Sequence, residues 1–327
     1  MHSVPWRLIT AAAVLMAGSA SAQTPFKAGI ADPVNTVLTW WMAQAAGFYK
    51  AQGLDVSILN MNGGSRGAEE LAAGRIDAMH VGLSSVIRLN ASGGDLRLVG
   101  SLSNVVRFTL FSAPSVRTGA DLKGGVIAVS TAGSESDTTV NLALERFGLK
   151  RADVSFKAYG GGPARLAAVK AGEVKATMLN EPFSTLARQQ GVNVMMDLAA
   201  EQTPWVFSGI TVRTASLKDA RERDRLKRFL KGTIEGNYAA LTDAKQAKAV
   251  LGNELHNTSE RTIDIAYEDF AKQSPLNLEP SQKGAENILA QLAPGRGKLD
   301  DYIDGSLLDE IRKEGFIAQM EAKYKRN

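Results

Sequence analysis

The sequence predicts a two-lobed α/β protein with a helical C-terminal tail, and three observations carry that prediction. The first is an ungapped internal echo at a spacing of about 98 residues. Asp55-Val56-Ser57 returns as Asp153-Val154-Ser155, Gly63-Gly64 as Gly161-Gly162, and Ala73-Gly74 as Ala171-Gly172. A period this long is not that of a solenoid, whose units run ~20–50 residues; it implies two lobes of similar build. The second is the order within each copy, in which apolar strands alternate with helices of ~10–15 residues, the pattern of parallel α/β sheets. The third is a change of character after Leu217, beyond which helical patterns follow one another with no strong strand among them.

In the first lobe, residues 26–31 read as a strand that turns at Asp32-Pro33, and a helix follows through Trp40 to Ala46, closed near Gly47. Residues 55–61 are a second strand. Gly63-Gly64 opens a helix that stops at Gly74, where glycine supplies a left-handed cap at little steric cost. Residues 78–81 and 96–102 are further strands, and the β-rich run 106–112 is the first crossing between lobes. The second lobe has strands near 126–130, 154–159, 176–179 and 192–196, separated by helices near 136–147, 163–171 and 182–190. Residues 206–212 make the return crossing. The expected division is therefore 23–108 with 210–327 for the first lobe and 109–209 for the second. The tail reads as helices over 219–242, 243–251, 259–271, 281–292 and 307–323, packed back on the first lobe because its apolar faces need cover. Two crossings make a two-strand hinge, which allows closure around a ligand.

Arg7, the apolar run from Leu8 to Ala17 and the small residues Ala20-Ser21-Ala22 read as an export signal over 1–22. The run is too short for a membrane span, which needs ~20 apolar residues. Without cysteine there is no disulfide framework, thiol nucleophile or lipidation site, a composition that suits a soluble bacterial periplasmic protein. The net charge of +4 includes basic runs near 218–231 and 323–326. The first is interleaved with acids, as on a solvated helix face, and no nucleic-acid motif accompanies it.

Parallel α/β sheets place ligands outside the carboxyl ends of their strands. Six loops lie there: 32–36, 62–65, 80–85, 130–136, 160–163 (with Gly162) and 180–183. The run Ser130-Thr131-Ala132-Gly133-Ser134 is the strongest anion nest among them, or else plain helix capping. Gly63-Gly64-Ser65-Arg66-Gly67 matches the G-x-S-x-G nucleophile elbow, yet the sister position after Gly161-Gly162 is Pro163. A hydrolase also needs a histidine, and only His80 and His256 follow the leader. His80 reads as a hydrogen-bonded core histidine more readily than as a base or metal ligand. No metal-ligand cluster, dinucleotide fingerprint or phosphate loop is present, so no cofactor is expected. Glu181 is either a carboxylate for a cationic or amide-like ligand group or a first-turn helix acid. Adjacent Trp40 and Trp41 diverge by ~100° on a helix, so one of them either lines the cleft or packs under a loop.

The runs WWMAQAAGFYKAQGLDV (40–56), LAAGRIDAMHV (71–81), DLKGGVIAVSTAGS (121–134) and ARLAAVKAGEVKATMLNEP (164–182) resemble the periplasmic substrate-binding proteins of ABC importers. The likeness is to the nitrate/sulfonate/taurine branch, related to thiamine-pyrimidine precursor binding proteins. It implies a type II periplasmic binding fold that closes on a small ligand and delivers it to a membrane permease and ATPase, without catalysis and as a monomer. Carried over by position, the contacts fall on Asp32, Asn35, Trp40, Gly64, Ser65, Gly82, Ser84, Thr131, Gly133, Ser134, Glu135, Asn180 and Glu181. The ligand expected is a small organic anion, a sulfonate or carboxylate. Glu135 and Glu181 leave room for an aromatic or pyrimidine-like ligand instead. Members that became pyrimidine-forming enzymes rely on a cysteine-rich segment, and this chain has no cysteine.

Overall fold

The computed structural model describes residues 23–256, 259–295 and 297–324. The expected leader, 1–22, lies outside them. Two five-stranded sheets form the two lobes. In chain order the strands are β1 (Thr24–Ile30), β2 (Leu54–Asn60), β3 (Ala78–Val81), β4 (Leu96–Val105), β5 (Thr109–Ser112), β6 (Val126–Val129), β7 (Ser155–Ala158), β8 (Ala176–Leu179), β9 (Asn193–Asp197) and β10 (Pro204–Arg213).

The first sheet has the order β2-β1-β3-β10-β4 and the second β7-β6-β8-β5-β9. The two orders are the same once β6–β9 are read as the repeat of β1–β4. The echo in the sequence is therefore an echo in space, and β3 and β8 keep the 98-residue offset at both ends. In each lobe the fourth strand is the one that arrives from the other lobe. It enters from the cleft end, and so it runs antiparallel: β10 against β3 and β4, β5 against β8 and β9. Each sheet is thus mixed, with three parallel strands beside the crossing strand.

The two crossings lie side by side. The amide of Val106 donates to the carbonyl of Thr203 at 3.0 Å, and that of Ala199 to the carbonyl of Phe108 at 3.0 Å. Residues 206–212, read as the return crossing, already lie in β10, hydrogen-bonded in the first sheet; the lobe boundary expected at 209/210 falls inside that strand.

The helices follow the sequence pattern with small shifts: Leu38–Ala45, Gly64–Ala72, Glu135–Arg146, Gly162–Ala171 and Phe183–Gln189. Three helices that the pattern left unmarked are Leu83–Ala91, which follows β3, and the short Phe48–Ala51 and Thr214–Lys218. In the tail, Asp219, Asp243, Ser259 and Ser281 cap helices by accepting from the backbone N–H three residues on. The last expected helix, 307–323, is in fact two, Ser306–Lys313 and Phe316–Lys323. Gly315, at φ 78°, sits between them in a conformation that breaks the helical path.

The tail packs on the first lobe through an aromatic stack. Phe229, from the helix Ala220–Thr242, stacks on Phe26 of β1 at 4.4 Å and on Tyr49 at 5.0 Å, and meets the edge of Trp40 at 5.3 Å. Such pairs add ~0.5–1.5 kcal/mol each beyond the area they bury. Among the described residues no helix is long and apolar enough to cross a membrane.

Candidate ligand-binding site

The strand ends of the two sheets face one another across a cavity of about 530 Å³ of atom-free space, its mouth included. The first lobe contributes Asp32, Val34, Thr36, Gly64, His80, Val81 and Gly82. The second contributes Ser130, Ser134, Glu135, Ser136, Arg165 and Asn180. Phe108 and Phe207, from the segments beside the hinge, meet edge-on at 4.9 Å and add an aromatic wall, with Ser208 next to them. Six residues anticipated from sequence line this space: Asp32, Gly64, Gly82, Ser134, Glu135 and Asn180.

Other anticipated residues hold the lobes together instead. Ser65 receives Thr131 across the gap, its amide donating to Thr131 Oγ1 at 3.2 Å, and its own hydroxyl donates to the carbonyl of Ala132 at 2.7 Å. Ser84 gives Glu135 two bonds, from its amide at 2.9 Å and its hydroxyl at 3.0 Å. The amide of Gly162 donates to Asp32 at 2.5 Å. Gly133 lies at a separate pocket on the outer seam. Asn35 is turned toward the tail, donating to Ala266 O at 2.9 Å and to Asp269 at 2.8 Å.

Two expectations are corrected. Trp40 does not line the cavity; it is fully buried between Phe229 and His80. The divergence of Trp40 and Trp41 does not force one of them outward, because residues 38–43 of their helix are all buried and the exposed positions come only at its end. Of the two readings of Glu181 the helix acid fits, and the residue does not line the cavity. It accepts from the Ser184 hydroxyl and, at 3.3 Å, from the Thr185 amide, as an acid at the start of a helix does. In the Ser130–Ser136 loop the hydroxyls bond one another and Ser134 caps the following helix, so capping accounts for them.

Charge in the cavity is mostly self-contained. Arg165 lies 3.5 Å from Asp32, and its other nitrogens donate to the carbonyls of Gly160, at 3.0 Å, and Met178. Burial pushes the Asp32 carboxyl above its usual range, with the Arg165 charge and the Gly162 amide opposing. Burial also pushes Glu135 up, to about 7, against the donors Trp205 and Ser84. His80 is held neutral by burial, its pKa pushed down to about 4. Three buried polar atoms on the cavity's residues have no partner among the described residues: Thr36 Oγ1, His80 Nε2 and Ser208 Oγ. Buried polar atoms are ordinarily bonded, so unpartnered ones in a cleft mark where a ligand or water bonds. No metal-binding group of acids and histidines occurs among the described residues.

Sequence reasoning overlooked Phe108, Arg165, Phe207 and Ser208, and it named the loop that holds Thr36 without singling that residue out. Phe108 and Phe207 had a usable signal, because the runs recognised as crossings must floor the cleft between the lobes.

Comparison with known proteins matches this geometry. The chain superposes on a protein of Bordetella bronchiseptica RB50 with a TM-score of 0.78 at 19% identity, covering 90% of this chain and 98% of that one. The alkanesulfonate-binding protein SsuA from Xanthomonas axonopodis pv. citri, solved with MOPS, gives 0.71 at 18% identity, covering 86% and 98%. The periplasmic nitrate-binding protein NrtA from Synechocystis PCC 6803 gives 0.69 at 15%, covering 91% of each. These likenesses establish the two-lobed periplasmic binding protein fold. No curated protein matches in sequence. Residues 35–247, which span both lobes and the first tail helix, match the profile of one family, and the chain accordingly belongs to the NMT1/THI5-like family.

Proposed function

We propose that this protein is the solute-binding component of an ABC importer. In this reading it is exported to the periplasm, acts as a monomer, closes its lobes (divided near residues 108 and 209) on a small ligand, and passes that ligand to a membrane permease driven by an ATPase. The family, the fold and the polar cavity between two hinged lobes support this. No catalysis is needed: the Ser65 hydroxyl, the one candidate nucleophile, donates to the carbonyl of Ala132 and is bonded to no histidine among the described residues.

On ligand class, the geometry favours an aromatic or pyrimidine-like ligand with N–H donors over a sulfonate or carboxylate. One observation carries this. Among the described residues Arg165 is the cation lining the cavity, and it is already engaged by Asp32 and two carbonyls. An anion would face the carboxylates of Asp32 and Glu135 without a free countercharge. Neutral His80, by contrast, offers an unshared nitrogen, and Phe108 and Phe207 offer flat apolar surface.

The test is a thermal-shift screen of residues 23–327, freed of co-purified ligand by unfolding and refolding. The panel holds aminopyrimidines, other heteroaromatics, sulfonates, taurine, nitrate and carboxylates. Ligand at 100 times its dissociation constant adds ~2.7 kcal/mol, a shift of a few degrees. A shift confined to the heteroaromatics is expected. A shift with sulfonates or carboxylates alone would return the ligand to the anions, and no shift on folded protein would remove the receptor reading for this panel.

A further inference from the structure

We propose that a second binding site, for a small free oxyanion such as phosphate or sulfate, lies on the outer seam between the lobes, with Arg88 as its cation. The pocket there is formed by Ser65, Glu69, Ser85 and Arg88 of the first lobe and by Ala132 and Gly133 of the second. It goes beyond the solute cavity, with which it shares no lining residue.

Three observations point to an anion. The Arg88 guanidinium makes no hydrogen bond or ion pair with any described residue, and its Nε is buried without a partner. A guanidinium is a planar fork of donors suited to two oxygens of one anion, and leaving a buried donor unmade is costly. Ser85, 2% exposed, likewise has a buried hydroxyl without a partner, in the same pocket one helical turn before Arg88. The countercharge nearby within the protein, Glu135, feels the Arg88 charge but spends its hydrogen bonds on Ser84 and Trp205 and forms no ion pair with Arg88. Glu69 is the one carboxylate lining this pocket among the described residues; it is exposed and works against the anion.

The position of the site gives it a role. Gly133 packs against the Arg88 stem, since a Cβ built there would lie 2.9 Å from Arg88 Cδ. The pocket is complete only while the lobes are together. An anion held by Arg88 and Ser85 therefore favours the closed form, and by linkage a closed form favours the anion.

The experiment is isothermal titration of inorganic phosphate, and separately sulfate, into the purified protein at low ionic strength. The expected result is one site, weakened roughly tenfold or more by Arg88→Gln, as the loss of a charge-assisted hydrogen bond requires. Glu69→Gln, an exposed change, is expected to tighten binding by removing a like charge. Asn180→Ala, in the solute cavity, is expected to leave it unchanged. No binding to the wild-type protein, or equal affinity in Arg88→Gln, overturns the proposal. So does loss in Asn180→Ala with retention in Arg88→Gln, which would put the anion in the solute cavity. Should Arg88→Gln not fold, an unchanged affinity in Glu69→Gln overturns it alone.

Discussion

The indole Nε1 of Trp205 donates a 2.8 Å hydrogen bond to Oε2 of Glu135. Trp205 stands at the start of β10 in the first sheet, and Glu135 is the first residue of a helix in the second lobe. With the two bonds from Ser84, this makes the Glu135 carboxylate a clasp between lobes, and it is buried only when they meet. Burial outweighs the three donors and the Arg88 charge, which is why its pKa rises from 4.5 to about 7.

That rise fixes the sign of a pH effect. The folded protein holds the Glu135 proton more tightly than the unfolded chain does. The resulting stabilisation is complete below about pH 4.5 and is lost as pH rises through about 7. The stability difference between wild type and Glu135→Gln should be roughly 2.5 kcal/mol more in favour of wild type at pH 5 than at pH 8. Urea unfolding at the two pH values measures it. An equal difference at both would mean that Glu135 is not buried as a titrating group.

His80 works in the opposite direction. Its pKa falls from 6.5 to about 4 through burial, so its contribution is full above 6.5 and is lost as pH falls toward 4. His80→Phe, which keeps an aromatic ring beside Trp40, should relieve roughly 2 kcal/mol of acid destabilisation between pH 8 and pH 5. Over the overlapping window the two groups oppose each other. Glu135→Gln should therefore lose stability on acidification, and His80→Phe should lose it on alkalinisation. Matching slopes in the two variants would refute the assignment.

The Asp32–Gly162 contact is a second clasp, and Gly161 controls its approach. A Cβ on Gly161 would lie 2.9 Å from Asp32 Oδ1, with only Asp32 atoms among its near neighbours. Its backbone is extended at φ −63°, so alanine fits its own lobe without strain. Gly161→Ala should leave unfolding stability within about 0.5 kcal/mol, as expected of a change that creates no cavity or strain. It should nonetheless hold the lobes apart. Small-angle scattering should show a larger radius of gyration than wild type; an unchanged radius would mean that this contact does not limit closure.

Much of the architecture was legible because the echo is a physical constraint. Two stretches with the same strand–glycine–helix order fold into the same sheet order, and Gly63-Gly64 and Gly161-Gly162 do open equivalent helices. The antiparallel fourth strand was not legible, since it depends on which lobe a crossing strand joins. At the site, loops were found and side-chain directions were not. Asp32, Glu135 and Asn180 stand in the cavity wall, where loops that follow strand ends were expected to lie. Arg165 was missed because it lies on the second turn of its helix and reaches back. Ser65 and Ser84 stand in the right loops but bond the opposite lobe.

Trp40 is where a sequence argument on helix geometry met a helix whose first six residues are all buried, and it supplies the sharpest contrast between cleft and core. A cleft tryptophan replaced by alanine would lose ligand and keep its fold. A tryptophan at 0% exposure, set against Phe229 and His80, carries packing between the tail and the first sheet. Trp40→Ala should cost ~3–5 kcal/mol, the range for a large buried aromatic, and should loosen the helix Ala220–Thr242 through Phe229. Trp40→Phe should recover much of that loss. Urea unfolding of both variants, followed by hydrogen exchange over residues 220–242, tests the assignment. A stable Trp40→Ala protein with normal exchange in that helix would return Trp40 to the cleft.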